Sequence, residues 1–350
     1  MRISISIGSA YYNGEEWNQL VEYTQAADRM GVHEAWSAEA WGMDAIVPLA
    51  YLAAKTENLR LGTGIMQISS RVPSMIAMTA QSLDTVSKGR FNLGLGVSGP
   101  QVVEGLHGAQ FAKPLSRLRE CVDILRLGLS GEKLQYEGEH YVLPRPGGER
   151  KPIRLSQPPR PNLPIYLATL GPKSLQMTGE VADGWLGTCF MPEAGHVFLD
   201  DLAAGAKRAG RSLKDIDIHT GGYFEVSDDV ERLVADRKPA MAFTLGAMGS
   251  AKTNFYNDAY CRAGYEDDAK AVQSLWIEGK RDQAIARVPD EMVLLTNFIG
   301  TEEMVRARLR AFRDAGVNTI GLNTGGKSWT ERTAALEEAA DLVLNETANW

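Results

Sequence analysis

Two periods of hydrophobic and polar residues take turns along this chain. Ile3, Ile5 and Ile7 alternate with polar residues, a period of two that predicts a strand. From about 15 to 30 the period becomes helical, with Trp17, Leu20, Val21, Ala27 and Met30 roughly on one face. Gly31 then stands where a left-handed residue ends a helix. The exchange repeats, with further strands predicted at about 32–37, 59–66, 91–97, 164–168, 183–188, 216–226 and 318–323. Helices are predicted at about 44–55, 74–87, 114–130, from 172 onward, and at 193–209, 302–315 and 328–345. The stripe of 114–130 is Leu118, Val122, Leu125 and Leu129; that of 302–315 is Val305, Leu309 and Phe312, behind a Thr301 N-cap.

Two segments break the rhythm. Residues 131–162, rich in Pro, Gly and Arg, predict an inserted hairpin and loop, and 228–297 a long, mostly helical insertion before the last strand. Eight strands mostly followed by helices point to an α/β fold of the (β/α)8 kind, a TIM barrel filling one domain over 1–350. An open doubly wound sheet is the competing arrangement. In a barrel, chemistry gathers where strand C-termini meet the loops that follow.

Composition narrows the function classes. The net charge of −7, with no Lys/Arg-rich run, argues against nucleic-acid and anionic-membrane partners. Nothing reaches the length of a membrane span, and the alternating start lacks the long apolar stretch of a signal peptide. Cys121, Cys189 and Cys261 lie far apart and are odd in number, which fits a reducing cytoplasm better than a disulfide framework. The five histidines show no HxH or HExxH spacing, so no metal site is expected, and no GxSxG nucleophile elbow is present.

Glycine is in excess, 35 of 350 residues, and its placement directs attention to four strand ends. In 92–105, Gly94, Gly96 and Gly99 could let backbone N–H groups converge on a phosphate, or could simply be small residues inside a tight strand. In 168–175, Gly171, Pro172 and Lys173 open a helix whose free N–H groups and nearby Lys suit an anion, or form a plain turn with a solvated Lys. Gly62 and Gly64 mark a bulge or a close approach in the third strand. Glu39 and Trp41 follow the second strand, where a carboxylate could serve as proton donor or as a structural acceptor. Trp41, His107, Trp185 and Phe190 are candidate walls of a substrate pocket, and apolar rings of this kind are also common core residues.

The motifs WSAEAWG, LGTGIMQ, SKGRFNLGLGVSGPQ, PIYLATLGPKSL and IGTEEMVRARLRAFRDAGVNTI, in this order, resemble the luciferase-like (bacterial luciferase superfamily) oxidoreductases. The resemblance is to the actinobacterial type that uses the deazaflavin coenzyme F420. It implies an oxidoreductase moving a hydride between F420 and an organic small molecule, with FMN and a monooxygenase activity, or cofactor binding without catalysis, as alternatives. It also implies a cis peptide at Gly64–Ile65 backing the ring, with cofactor contacts at Ser37, Gly64, Ile65 and Met66. The phosphate would meet Ser98, Gly99, Pro100, Gln101 and the start of the helix at Gly171, Pro172 and Lys173. Several relatives carry a His after the second strand; here Glu39 stands in its place as the expected proton relay. Lys252 and Arg262 of the insertion are candidates for the cofactor's acidic tail, and a homodimer is expected from the family.

Overall fold

The computed structural model describes residues 1–8, 12–149, 151–249 and 253–347. The strands are β1 (Arg2–Gly8), β2 (Glu34–Ser37), β3 (Arg60–Thr63), β4 (Met66–Gln67), β5 (Phe91–Gly96), β6 (Tyr136–Glu137), β7 (Val142–Leu143), β8 (Ile165–Leu167), β9 (Gly184–Leu186), β10 (Asp217–Val226), β11 (Phe298–Gly300) and β12 (Thr319–Thr324). The helices are α1 (Gly14–Arg29), α2 (Ile46–Ala53), α3 (Pro73–Val86), α4 (Pro100–Val103), α5 (Pro114–Leu129), α6 (Pro172–Val181) and α7 (His196–Arg208). They continue with α8 (Val230–Ala247), α9 (Phe255–Tyr260), α10 (Glu266–Ile277), α11 (Arg281–Arg287), α12 (Asp290–Thr296), α13 (Glu302–Asp314) and α14 (Trp329–Thr347).

Among the described residues, eight parallel strands close a barrel in the order β12-β1-β2-β3-β5-β8-β9-β10, the ring completed by β10 pairing with both β9 and β12. This is the (β/α)8 architecture expected from the pattern, and the open doubly wound sheet is excluded by closure. The predicted hairpin in 131–162 is the antiparallel pair β6 and β7. The predicted insertion supplies α8 to α12. It ends in a strand that the pattern did not reveal, β11, which pairs with the far end of β10 outside the closed ring. The stripe of α13 is fully buried, and Thr301 caps that helix by accepting the Met304 N–H. No helix among the described residues is long and apolar enough to cross a membrane.

The barrel interior is layered. At the N-terminal floor, the carboxylate of Asp217 meets Arg2 at 2.6 Å and the Tyr166 hydroxyl at 2.8 Å. Glu34 accepts from the Trp36 indole at 3.1 Å and from the Asn92 amide at 3.0 Å. Above this layer Trp36 packs edge-on against Tyr166 and His219, and Ser4 Oγ lies 2.6 Å from His219 Nε2. Glycines make room for the plug and for the close approach of neighbouring strands. A Cβ on Gly62 would fall 2.3 Å from the Trp36 ring, and one on Gly94 only 1.9 Å from the Thr63 carbonyl. Gly62 and Gly94 are therefore packing residues, the structural alternative of the two open in the sequence.

The floor makes stability pH-dependent. Burial, reinforced by Asp217, raises Glu34 to about 7. A carboxyl whose pKa is raised on folding stabilises the fold below its unfolded value, and that stability is lost as pH rises through about 7. His219, lowered to about 4 by burial, acts oppositely, losing stability as pH falls below its unfolded value. The difference between native protein and Glu34→Gln isolates the first effect. From pH 5 to 8 the native protein should lose more unfolding free energy than the variant, by about 2–3 kcal/mol. Urea denaturation across that range measures it, and parallel curves for the two proteins would contradict it.

Candidate active site

The third strand leaves its register at the C-terminal rim. β3 stops at Thr63, the Gly64–Ile65 peptide is cis, and the chain returns as β4 to pair with Leu95 and Gly96 of β5. The bulge is tied to the end of β2 by four contacts. Gly64 N–H donates to the Ser37 carbonyl at 2.7 Å, and Gln67 N–H to Glu39 Oε2 at 3.0 Å. The Gln67 amide donates to the Glu39 carbonyl at 3.1 Å. The Arg71 guanidinium grips both Glu39 oxygens at 2.7 and 2.8 Å. Ile65 lies against Gly96, where a Cβ would come within 2.9 Å of it.

Two side-chain oxygens here are buried without a protein partner, Ser37 Oγ and Gln67 Oε1. Buried polar atoms are nearly always hydrogen-bonded, so orphans at a strand end mark a place where a polar ligand edge would satisfy them.

The two loops expected to hold a phosphate are neighbours. β5 pairs in register with β8, so the loops that follow them leave the rim side by side. Ser98 sits in the left-handed region at φ 59°, and Gly99 is the N-cap of α4. Gly171 is the N-cap of α6, with Pro172 at its first position. Neither helix start carries a side-chain cap; the Val102 and Val103 N–H groups turn back to the Gly99 carbonyl and that of Leu175 to the Gly171 carbonyl, so Gln101 N–H at α4 and the Lys173 and Ser174 N–H groups at α6 are left for another acceptor. At Gly99 the nearest atom to an added Cβ is 3.5 Å away, and at Gly171 it is 3.7 Å. Unlike Gly62 and Gly94, these two glycines give way to no protein group. Gln101 and Lys173 are exposed beside them.

Other expected site residues fall elsewhere. Trp185 and Phe190 are core, not pocket wall. Trp185 alternates with Gly184 and Leu186 so as to face the helices, stacks near Phe190 and Phe198, and donates its indole N–H to the Thr169 carbonyl at 2.8 Å. The Met66 side chain is likewise buried in the core. Trp41 and His107 are exposed on rim loops. Glu39, expected as a proton relay, has both oxygens engaged by Arg71 and the Gln67 N–H, the geometry of an anchor. Arg262 is not free for an acidic tail; its guanidinium donates to the Val197 and Leu170 carbonyls and ties the insertion to the loop before Gly171. Lys252 lies outside the described residues. Sequence reasoning missed Arg71, because a partner 32 residues away leaves no spacing signal. It also missed a cavity of about 320 Å³ between the segments 68–72 and 97–112.

A model of the luciferase-like monooxygenase family matches residues 1–319. A protein of Mycobacterium tuberculosis named as a coenzyme F420-dependent oxidoreductase is 36% identical over 344 residues, covering 96% of this chain and 99% of the relative. A 5,10-methylenetetrahydromethanopterin reductase of Methanolobus tindarius is 28% identical over 305 residues, covering 86% of this chain and 89% of that protein. Among solved structures, the coenzyme F420-dependent tetrahydromethanopterin reductase of Methanopyrus kandleri superposes with a TM-score of 0.78 at 22% identity. That likeness of fold spans 99% of this chain and 98% of the other.

Proposed function

The chain belongs to the luciferase-like monooxygenase family, and we propose that it is a coenzyme F420-dependent oxidoreductase acting on an organic small molecule. The observation that carries this reading is the grouping on one rim of the bulge, its two orphaned oxygens and two uncapped helix starts. The coenzyme named for the mycobacterial relative supports F420 over FMN.

Bound there, the deazaflavin supplies a ring carbon that exchanges a hydride with the substrate, and the protein supplies position and electrostatics. Gly64 and Ile65 would back the ring. Ser37 Oγ and Gln67 Oε1 meet its polar edge. The loop Ser98, Gly99, Pro100 and Gln101 and the α6 start at Gly171, Pro172 and Lys173 hold the phosphate. Glu39 is a positioning residue acting through Arg71 and Gln67. Trp41 and His107 stand on the substrate's side of the mouth.

Parallel fluorescence titrations of the purified protein with F420 and FMN test this reading. F420 should saturate at a concentration at least tenfold below FMN, and Lys173→Ala should weaken F420 by about two- to fivefold, the worth of one solvent-exposed ion pair. Tight FMN binding with no F420 binding would overturn it.

The three cysteines are free, which supports a reducing cytoplasm as the compartment; burial also raises Cys121 and Cys189 to about 12, so both are unreactive thiols. A homodimer is supported by apolar side chains exposed on and beside α2 and α3, namely Val47, Tyr51, Val72, Met75 and Met78. Light scattering on a sizing column should give twice the single-chain mass, and Met75→Glu with Met78→Glu should halve it. A native monomer at micromolar concentration would contradict the dimer.

A further inference from the structure

The cavity beside the bulge has an apolar body and a cationic end. Val97, Val103 and Phe111 line the body, and Arg71, Arg117 and Tyr141 are among the polar lining. Its volume, about 320 Å³, is at the lower end of the range for small-molecule pockets. The two guanidiniums are in different states. Arg71 is neutralised by its two-pronged grip on Glu39. Arg117 forms no ion pair among the described residues, its Nε is buried without a partner, and it lies against the Tyr141 phenol. Nearby carboxylates are turned away. Glu120 accepts the backbone N–H groups of Glu139, His140 and Tyr141, and Glu104 accepts that of Phe111. Ser69 Oγ, also on the lining, is a further buried orphan.

A guanidinium with no carboxylate partner beside an apolar recess is electrostatically incomplete, and its planar fork matches a carboxylate. We propose that this cavity is the acid subsite of the substrate pocket, taking a small organic acid with a flat apolar body. The carboxylate sits on Arg117 with Ser69 and Tyr141 beside it, and the body lies along Val97, Val103 and Phe111. The assignment to substrate rests on the F420 reading. Val97 and Val103 flank the phosphate loop and Ile68 follows the bulge, so the body of the acid points toward the ring. The cofactor's own acidic groups share this chemistry, and the test must separate the two sources.

Calorimetric titration of 2-naphthoate and its uncharged amide, 2-naphthamide, does so, with F420-loaded and unloaded protein. The acid should bind the loaded native protein at least tenfold more tightly than the amide. Arg117→Gln should remove that preference while changing F420 affinity less than twofold, and Arg117→Lys should keep part of it. Equal binding of acid and amide by the native protein, which needs no variant, would overturn the proposal. So would a preference that survives Arg117→Gln, or a tenfold loss of F420 affinity in that variant, which would give the subsite to the cofactor. If F420 never binds but unloaded protein still prefers the acid, the acid site stands and the cofactor reading fails.

Discussion

The site depends on one carboxylate. Glu39 receives the Gln67 N–H and the fork of Arg71, and so locks the loop after β2 to the bulge after β3. Hydrogen bonds to an ionised partner contribute about 1.5–3 kcal/mol each, more than neutral ones. Both side chains are largely shielded, at 9% and 19% exposure, so solvent weakens the pair less than it would at the surface. Removing either partner leaves the other charge unmatched in a confined place. Among the described residues, the other hydrogen bonds that hold the bulge to the β2 end are the Gly64 N–H on the Ser37 carbonyl and the Gln67 amide on the Glu39 carbonyl.

The interior confines function to the rim. Below the mouth, Trp36, Tyr166 and His219 fill the lumen, and the glycines at 62 and 184 leave room for the Trp36 and Tyr166 rings. Burial keeps His219 neutral near pH 7 beside Ser4. The space left for the proposed ligand is therefore across the strand ends, over the bulge and toward the loops of β5 and β8. The register that sets these loops side by side comes from the core pairing of Leu93 and Leu95 with Ile165 and Leu167.

Periodicity made most of the barrel legible, because buried stripes such as Leu118–Val122–Leu125 and Val305–Leu309–Phe312 are local patterns that tertiary packing then uses unchanged. β11 was hidden, since three residues between two helices carry too short a period to read. Among the glycines, excess alone could not separate function from packing. Gly94 and Gly99 lie five residues apart, yet one is pressed against a carbonyl and the other meets nothing nearer than the Gln101 side chain at 3.5 Å. Trp185 looked like a pocket wall because its neighbours end a strand; strand alternation turns it outward. Arg71 and Arg117 carried no signal, because their meaning lies in what they do or do not pair with across the fold.

A double-mutant cycle on F420 affinity tests the central claim, that the Glu39–Arg71 pair holds the bulge in the shape the cofactor needs. Glu39→Gln, Arg71→Met and the double variant are compared with native protein, each checked for an intact thermal transition. The account predicts that each single change weakens F420 by about tenfold and that the double change is no worse than either. Additive losses, or native affinity in both single variants, would contradict it.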